Sequence, residues 1–122
     1  MLIRKTDPAT TTPVEMDGVK DVTMQIMVGR DDGAPNFALR HFVVQPGGHT
    51  PLHQHDYEHE VYIVEGDCDV ECDGETAAAT AGDVLYVPAN SLHQFRNHSE
   101  APMRFLCLVP VPFDCDKPVP GS

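Results

Sequence analysis

The sequence predicts an all-β fold built as one domain, and three observations carry the prediction. At 122 residues the chain fits a single compact unit, because domains cluster near roughly 100–150 residues and smaller ones struggle to bury enough surface. Pro, Gly and Asp punctuate it at short intervals, and the stretches between them run five to nine residues and are rich in Val, Ile, Phe, Tyr and Thr. Short β-prone segments separated by tight-turn residues are the signature of antiparallel strands. No window sustains a helical period.

The elements follow in order. The first strand is expected over Val22 to Val28 and is ended by GRDDGAPN. The second, Phe37 to Val44, runs into QPGGHTP, where Pro and two glycines signal a turn. His59 to Val64 and Asp67 to Cys72 are separated by EGD, and CDGE closes the second of them. Val84 to Val87 follows AGD, His93 to Asn97 follows PANS, and Arg104 to Val109 follows NHSEAP. Each of these turns holds residue types that accept tight or left-handed backbone. Residues 1–20 and 112–122 are rich in Pro, Thr and Asp. The expected organisation is therefore an N-terminal arm over 1–20, a barrel domain over 21–111 and a C-terminal tail over 112–122.

Charge narrows the function classes. Eight Lys and Arg against nineteen Asp and Glu give a net charge of −11, which repels nucleic acid phosphates and anionic membranes. No nucleic acid and no membrane partner is expected; a small-molecule ligand or a protein is. The N-terminal MLIRKTDPATTT lacks the apolar core of a secretion signal, and no segment approaches the roughly 20 apolar residues of a bilayer span. A cytoplasmic location is the expectation. Four cysteines, Cys68, Cys72, Cys107 and Cys115, are present. Cys68 and Cys72 share an expected strand that holds their Cα atoms roughly 13 Å apart, too far for a bridge within it. Free thiols in a reducing compartment are expected, with Cys107 a small core residue in FLCLVPV.

The chemistry lies in the histidines. Four of the seven, His49, His53, His55 and His59, fall within GGHTPLHQHDYEHEVYIVEG. In a strand, residues two apart share a face with Cβ atoms about 6–7 Å apart, so His53 and His55 can converge on one ion at roughly 2.1 Å from each nitrogen. His59 has the same parity after the short polar DYE, in which the chain can turn. His93 opens a strand whose inward face would read His93, Phe95 and Asn97. A buried imidazole there needs a partner, since leaving it unpaired costs roughly 1–3 kcal/mol. A shared metal ion is one such partner and a backbone carbonyl is another.

With these residues the chain resembles the cupin superfamily. The first cupin motif, G-x5-HxH-x3,4-E-x6-G, is matched in every interval by Gly47, His53, His55, His59 and Gly66. The second, G-x5-PxG-x2-H-x3-N, is met by Gly82, Pro88, His93 and Asn97. Asn90 replaces the motif glycine, and Asn also tolerates a left-handed turn. His59 stands where the motif usually has Glu. The resemblance implies a cupin-type jelly-roll β-barrel with a metal inside one mouth, held here by His53, His55, His59 and His93, and commonly a homodimer. A homodimer is also favoured because so few strands leave sheet edges to cover, and the arm can supply a strand to a neighbour.

An all-imidazole set favours borderline metals, so one divalent transition metal ion is expected: Zn, Ni, Fe or Cu, with Mn added by the resemblance. A six-coordinate ion with four histidines leaves two positions for water or a bidentate ligand, whereas a tetrahedral ion would be closed and structural. Met24, Ile26, Val61, Ile63, Phe95 and Phe105 are expected to line the interior or pack the core. Tyr57 and Glu58, in the DYE turn, are candidates for acid or base. Arg40, Arg96 and Arg104 would matter for an acidic ligand, and either parity of ALRHFVV can face inward. His41 and His49 are expected near the ligands or as satisfied structural groups, and His98 exposed. The expectation is a metal-dependent enzyme acting on a small organic molecule, an oxygenase or an isomerase or lyase. The alternative is a non-catalytic sensor or storage module for a metal or small ligand.

Overall fold

A computed structural model describes residues 1–113. Nine strands form one curled sheet: β1 (Thr12–Pro13), β2 (Lys20–Val28), β3 (Phe37–His49), β4 (His59–Glu65), β5 (Asp67–Cys72), β6 (Glu75–Thr80), β7 (Val84–Val87), β8 (His93–Arg96) and β9 (Met103–Pro110). The lateral order is β6, β5, β8, β3, β9, β4, β7, with β2 also paired to β3 and β1 paired to β2. Every pairing is antiparallel. The fold is the antiparallel all-β architecture that the turn pattern predicts, curled into the barrel that the cupin resemblance implies.

Alternation fixes what faces inward. Along β9, Met103, Phe105, Cys107 and Val109 are buried and the residues between them are half-exposed. Opposite them in register stand Val44, Phe42, Arg40 and Ala38 of β3, so Arg40 shares the inner face. Val61 and Ile63 of β4 and Phe95 of β8 complete the core, and the Phe42 and Phe105 rings stack at 4.9 Å. Each such fully buried apolar side chain contributes about 1.5–3 kcal/mol. Ile26 is an exception among the expected core residues: a bulge between Ile26 and Val28 shifts the register, and Ile26 stays only half-buried outside the core cluster.

Two expectations about elements are corrected. The QPGGHTP turn is partly strand, because β3 runs through to His49, pairing its first part with β9 and its end with β8 at His49 and Arg96. A further strand, β6, pairs residue for residue with β5; its sequence, ETAAAT, carries little β propensity. The arm lies on its own chain: β1 pairs with β2, Arg4 donates to the Met27 carbonyl and bonds Asp32, and Thr11 donates to Thr23 Oγ1. Of the tail expected over 112–122, all but Pro112 and Phe113 lie outside the described residues. Among the described residues no helix is long and apolar enough to cross a membrane.

Turn geometry holds the site segments in place. Asn90, at the motif glycine position, adopts φ 67°, the left-handed conformation that Asn tolerates better than most residues. Its N–H donates to the His55 carbonyl at 2.7 Å. Gly66 has φ 85°, and a Cβ there would sit 2.7 Å from the Pro102 carbonyl oxygen, so any side chain would both strain and clash. Asn97 is fully buried. Its Nδ2 donates to the Val44 and Ala101 carbonyls, and its Oδ1 accepts from Ser99 N and Oγ.

Candidate metal centre

The segment after β3 lies along β8. Thr50 N donates to the Phe95 carbonyl, and His53 and His93 exchange backbone hydrogen bonds of 3.1 and 2.9 Å. This isolated bridge sets the two imidazoles side by side, with ring centroids 4.9 Å apart. His55 follows two residues on, its ring 5.1 Å from that of His53 and 5.0 Å from that of His93. His59 begins β4, its ring 4.4 Å from His55 and 5.1 Å from His93. Four imidazoles from three segments of sequence thus meet at one place. A ligand nitrogen from each of His53, His55 and His93 lies within 4.8 Å of the others, a grouping able to hold a metal ion. His59 adjoins that trio, with its Nε2 2.6 Å from Nε2 of His55.

Hydrogen bonds fix the tautomers. Nδ1 of His55 lies 2.9 Å from the Tyr57 carbonyl, and Nδ1 of His93 lies 2.9 Å from that of Ser91. A carbonyl only accepts, so both rings carry their proton on Nδ1 and present the Nε2 lone pair, as a metal ligand requires. His59 differs: its Nδ1 lies 3.1 Å from Sγ of Cys107, which also accepts from Nη2 of Arg40 at 3.3 Å. A thiol donates as well as accepts. Burial, then the Arg40 charge and the neighbouring imidazoles, lower the His59 pKa to about 2. Burial is also the leading cause that lowers His55 and His93. All three are held in the neutral form that coordinates metals.

The histidines stand in the wall of a cavity of about 350 Å³. Phe42, Phe95 and Phe105 give it apolar lining, to which Val14, Met16 and Val19 of the arm add. Tyr57 lines the cavity and stacks on His55 at 3.8 Å with rings nearly parallel. Glu58 is exposed and lies away from the cavity, on a shallow outer groove with Tyr86 and Pro110. The DYE turn therefore brings Tyr57 to the histidines and not Glu58, as strand parity on either side of it requires. Glu60 is exposed too.

Of the three arginines, Arg40 alone lines the cavity. Arg96 pairs with Glu71, while Arg104 bonds Glu65 and His41. Arg40 sits over the Phe42 ring at 4.9 Å, and its buried Nε has no hydrogen-bond partner, an omission worth about 1–3 kcal/mol. His41 is buried behind the sheet, His49 bonds Thr50 and Gln94, and exposed His98 pairs with Asp69. Cys68, Cys72 and Cys107 are free thiols, and burial pushes Cys68 up to about 12; Cys115 lies outside the described residues. Sequence reasoning missed the arm residues and the contacts of Cys107. The alternation of FLCLVPV did contain the second signal, since it sets Cys107 on the face of Phe105.

The cupin domain family model matches residues 40–109. The chain belongs to that family. It is 37% identical over 71 residues, 58% of its length and 46% of the relative's, to 1-methylthio-D-xylulose 5-phosphate methylsulfurylase of Rhodospirillum rubrum. It is 36% identical over 63 residues, 51% of its length and 19% of the relative's, to quercetin 2,3-dioxygenase of Bacillus subtilis. The polyketide cyclase RemF of Streptomyces resistomycificus superposes with a TM-score of 0.81 at 29% identity, covering 90% of this chain and 80% of that one. The chain spans about half the length, or less, of the curated relatives it matches. Cupin relatives of this chain thus include enzymes of several chemistries.

Proposed function

We propose that this cupin is a metal-dependent enzyme acting on a small organic molecule, with one divalent transition metal ion held by His53, His55, His59 and His93. The observation that carries the reading is the convergence of neutral imidazoles, two with tautomers locked for coordination through Nε2, on the wall of a ligand-sized cavity. A structural or merely stored ion needs no cavity beside it, which favours a centre that meets a small molecule. A bound ion would supply Lewis-acid polarisation of a substrate oxygen or redox chemistry. The all-imidazole donor set suits Zn, Ni, Fe or Cu, and the cupin resemblance adds Mn.

The chain's own residues set the stage for that chemistry. Phe42, Phe95 and Phe105 exclude water and receive an apolar body, while Tyr57 Oη, at the end of a ring stacked on His55, can hand a proton to a substrate beside that ligand. The named relatives, a dioxygenase of quercetin, a polyketide cyclase and a sugar-phosphate methylsulfurylase, support a small-molecule substrate, and an oxygenase, isomerase or lyase reaction accords with them. A homodimer in the cytoplasm completes the reading, the former supported by outward-facing Tyr62, Val84 and Tyr86 on the open β4–β7 edge. Metal analysis of protein purified without chelator, followed by oxygen uptake and product analysis with diketones, flavonols and hydroxy acids, tests the assignment. Metal-free protein that regains no activity and binds no ion on titration would overturn it.

A further inference from the structure

The cavity contradicts the charge of the molecule around it. Nineteen acidic against eight basic residues give the chain a net charge of −11, yet among the described residues no Asp or Glu lines the cavity, and one arginine does. Among the described residues Arg40 makes no ion pair: its guanidinium contacts Cys107 Sγ, a weak acceptor, and the face of Phe42, and its buried Nε has no hydrogen-bond partner there. Arg96 and Arg104, at the barrel wall, are both paired with glutamates, Glu71 and Glu65. A partly buried cation without a counter-ion carries an uncompensated desolvation cost, and a bound anion offsets it.

We propose that Arg40 is the specificity residue for an anionic substrate, taking a carboxylate or phosphate oxygen of a compact ligand whose apolar body lies against Phe42, Phe95 and Phe105. The inference deepens the functional reading above and rests on its placement of the substrate beside the histidines. Arg40 lies two contacts from His59, through Cys107, so a ligand held at the guanidinium has its other end within the histidine cluster. A fork of N–H donors also orients a planar carboxylate, which a lysine in the same place would not do.

The test is calorimetric titration of the metal-loaded protein with 2-hydroxybenzoate, its neutral amide 2-hydroxybenzamide, and phenyl phosphate. The acid should bind at least about tenfold more tightly than the amide, as a charge-assisted hydrogen bond requires. Arg40→Gln should erase that preference while its metal content stays that of the parent, and Arg40→Lys should keep part of it. Tighter binding of phenyl phosphate than of 2-hydroxybenzoate assigns the anion as phosphate, and the reverse assigns it as carboxylate. An acid bound no better than its amide by the parent protein, including no binding of either, overturns the proposal, as does an undiminished preference in Arg40→Gln. Loss of metal from the parent would instead strike the metal-centre reading, which the metal content reports separately. If Arg40→Gln does not fold, the acid-to-amide ratio in the parent and in Arg40→Lys still decides.

Discussion

His59 and Cys107 face each other across the barrel wall, Nδ1 to Sγ at 3.1 Å, and this contact sets His59 apart from its neighbours. His55 and His93 lean on carbonyls, which admit one tautomer. A thiol admits two. Without an ion, Cys107 S–H can donate to Nδ1 while His59 Nε2–H donates to Nε2 of His55, 2.6 Å away. With an ion, the proton belongs on Nδ1, donating to Sγ, and Nε2 is released for coordination. His59→Ala should therefore lower metal affinity by roughly tenfold or more, since the loss of mere supporting partners already costs ~10–100-fold. Exposed Glu60, on the opposite parity, should matter little when changed to Gln. Titration with Zn or Ni that ranked the two the other way would remove His59 from the ligand set.

Removing the ion should weaken the fold. At a hundred times its dissociation constant a ligand of the native state adds roughly 2.7 kcal/mol, which for a domain of this size is several degrees of Tm. Calorimetric scans before and after chelation, and after metal is restored, measure it. An unchanged Tm would count against a bound ion.

The stripped protein should also lose stability in mild acid. His59 is held neutral down to about pH 2 by burial and by Arg40, and burial lowers His41, His55 and His93 in the same direction. The unfolded chain protonates its histidines near 6.5, so their contribution is fully present above that pH and drains away as pH falls below it. Each histidine kept neutral in the fold then costs up to about 1.4 kcal/mol per pH unit. Between pH 6.5 and 5 ordinary carboxylates remain ionised, so urea midpoints of chelator-treated protein in that window report the histidines. A flat profile there would show that these rings titrate freely in the folded state.

Asn97 should prove a structural residue and not a ligand. Replacing it by Ala strands the buried Val44 carbonyl that its Nδ2 serves and removes the bond to the more exposed Ala101 carbonyl, an expected loss of about 2 kcal/mol. Urea melts should show the fall, with metal affinity of the folded fraction within about threefold of the parent. Stability equal to the parent would mean that water replaces both bonds at no cost.

A homodimer should form through the β4–β7 edge. Val84 is 73% and Tyr86 60% exposed on the edge strand β7, and an open apolar edge invites pairing. Light scattering at micromolar concentration should give twice the chain mass, and Val84→Glu should shift it to monomer with the Tm little changed. A parent protein that is already monomeric would end the idea.

Most of the barrel was legible because strand parity and turn residues act locally: EGD, AGD and PANS each separate strands as expected. β6 was not, since ETAAAT forms a strand only because β5 supplies a template for it. The histidines were found because His53, His55 and His59 share a parity and His93 heads an inward face. Arg40 stayed ambiguous because ALRHFVV is apolar on both faces; only its register opposite Cys107 decides that it points inward. The arm residues on the cavity were invisible for a related reason, as no local pattern says which distant strand a short segment will join.

Val14, Met16 and Val19 have one more implication. The imidazole wall is drawn from the barrel, whereas the opposing apolar wall is partly drawn from the opening stretch of the chain. On the proposed reading, residues that help to receive the guest are thus physically separable from the histidines that would retain the ion. Mutational drift in those first twenty positions can reshape which molecule is admitted while leaving the chemistry behind it intact. Such an arrangement lets one scaffold diversify its diet without relearning how to hold its reagent.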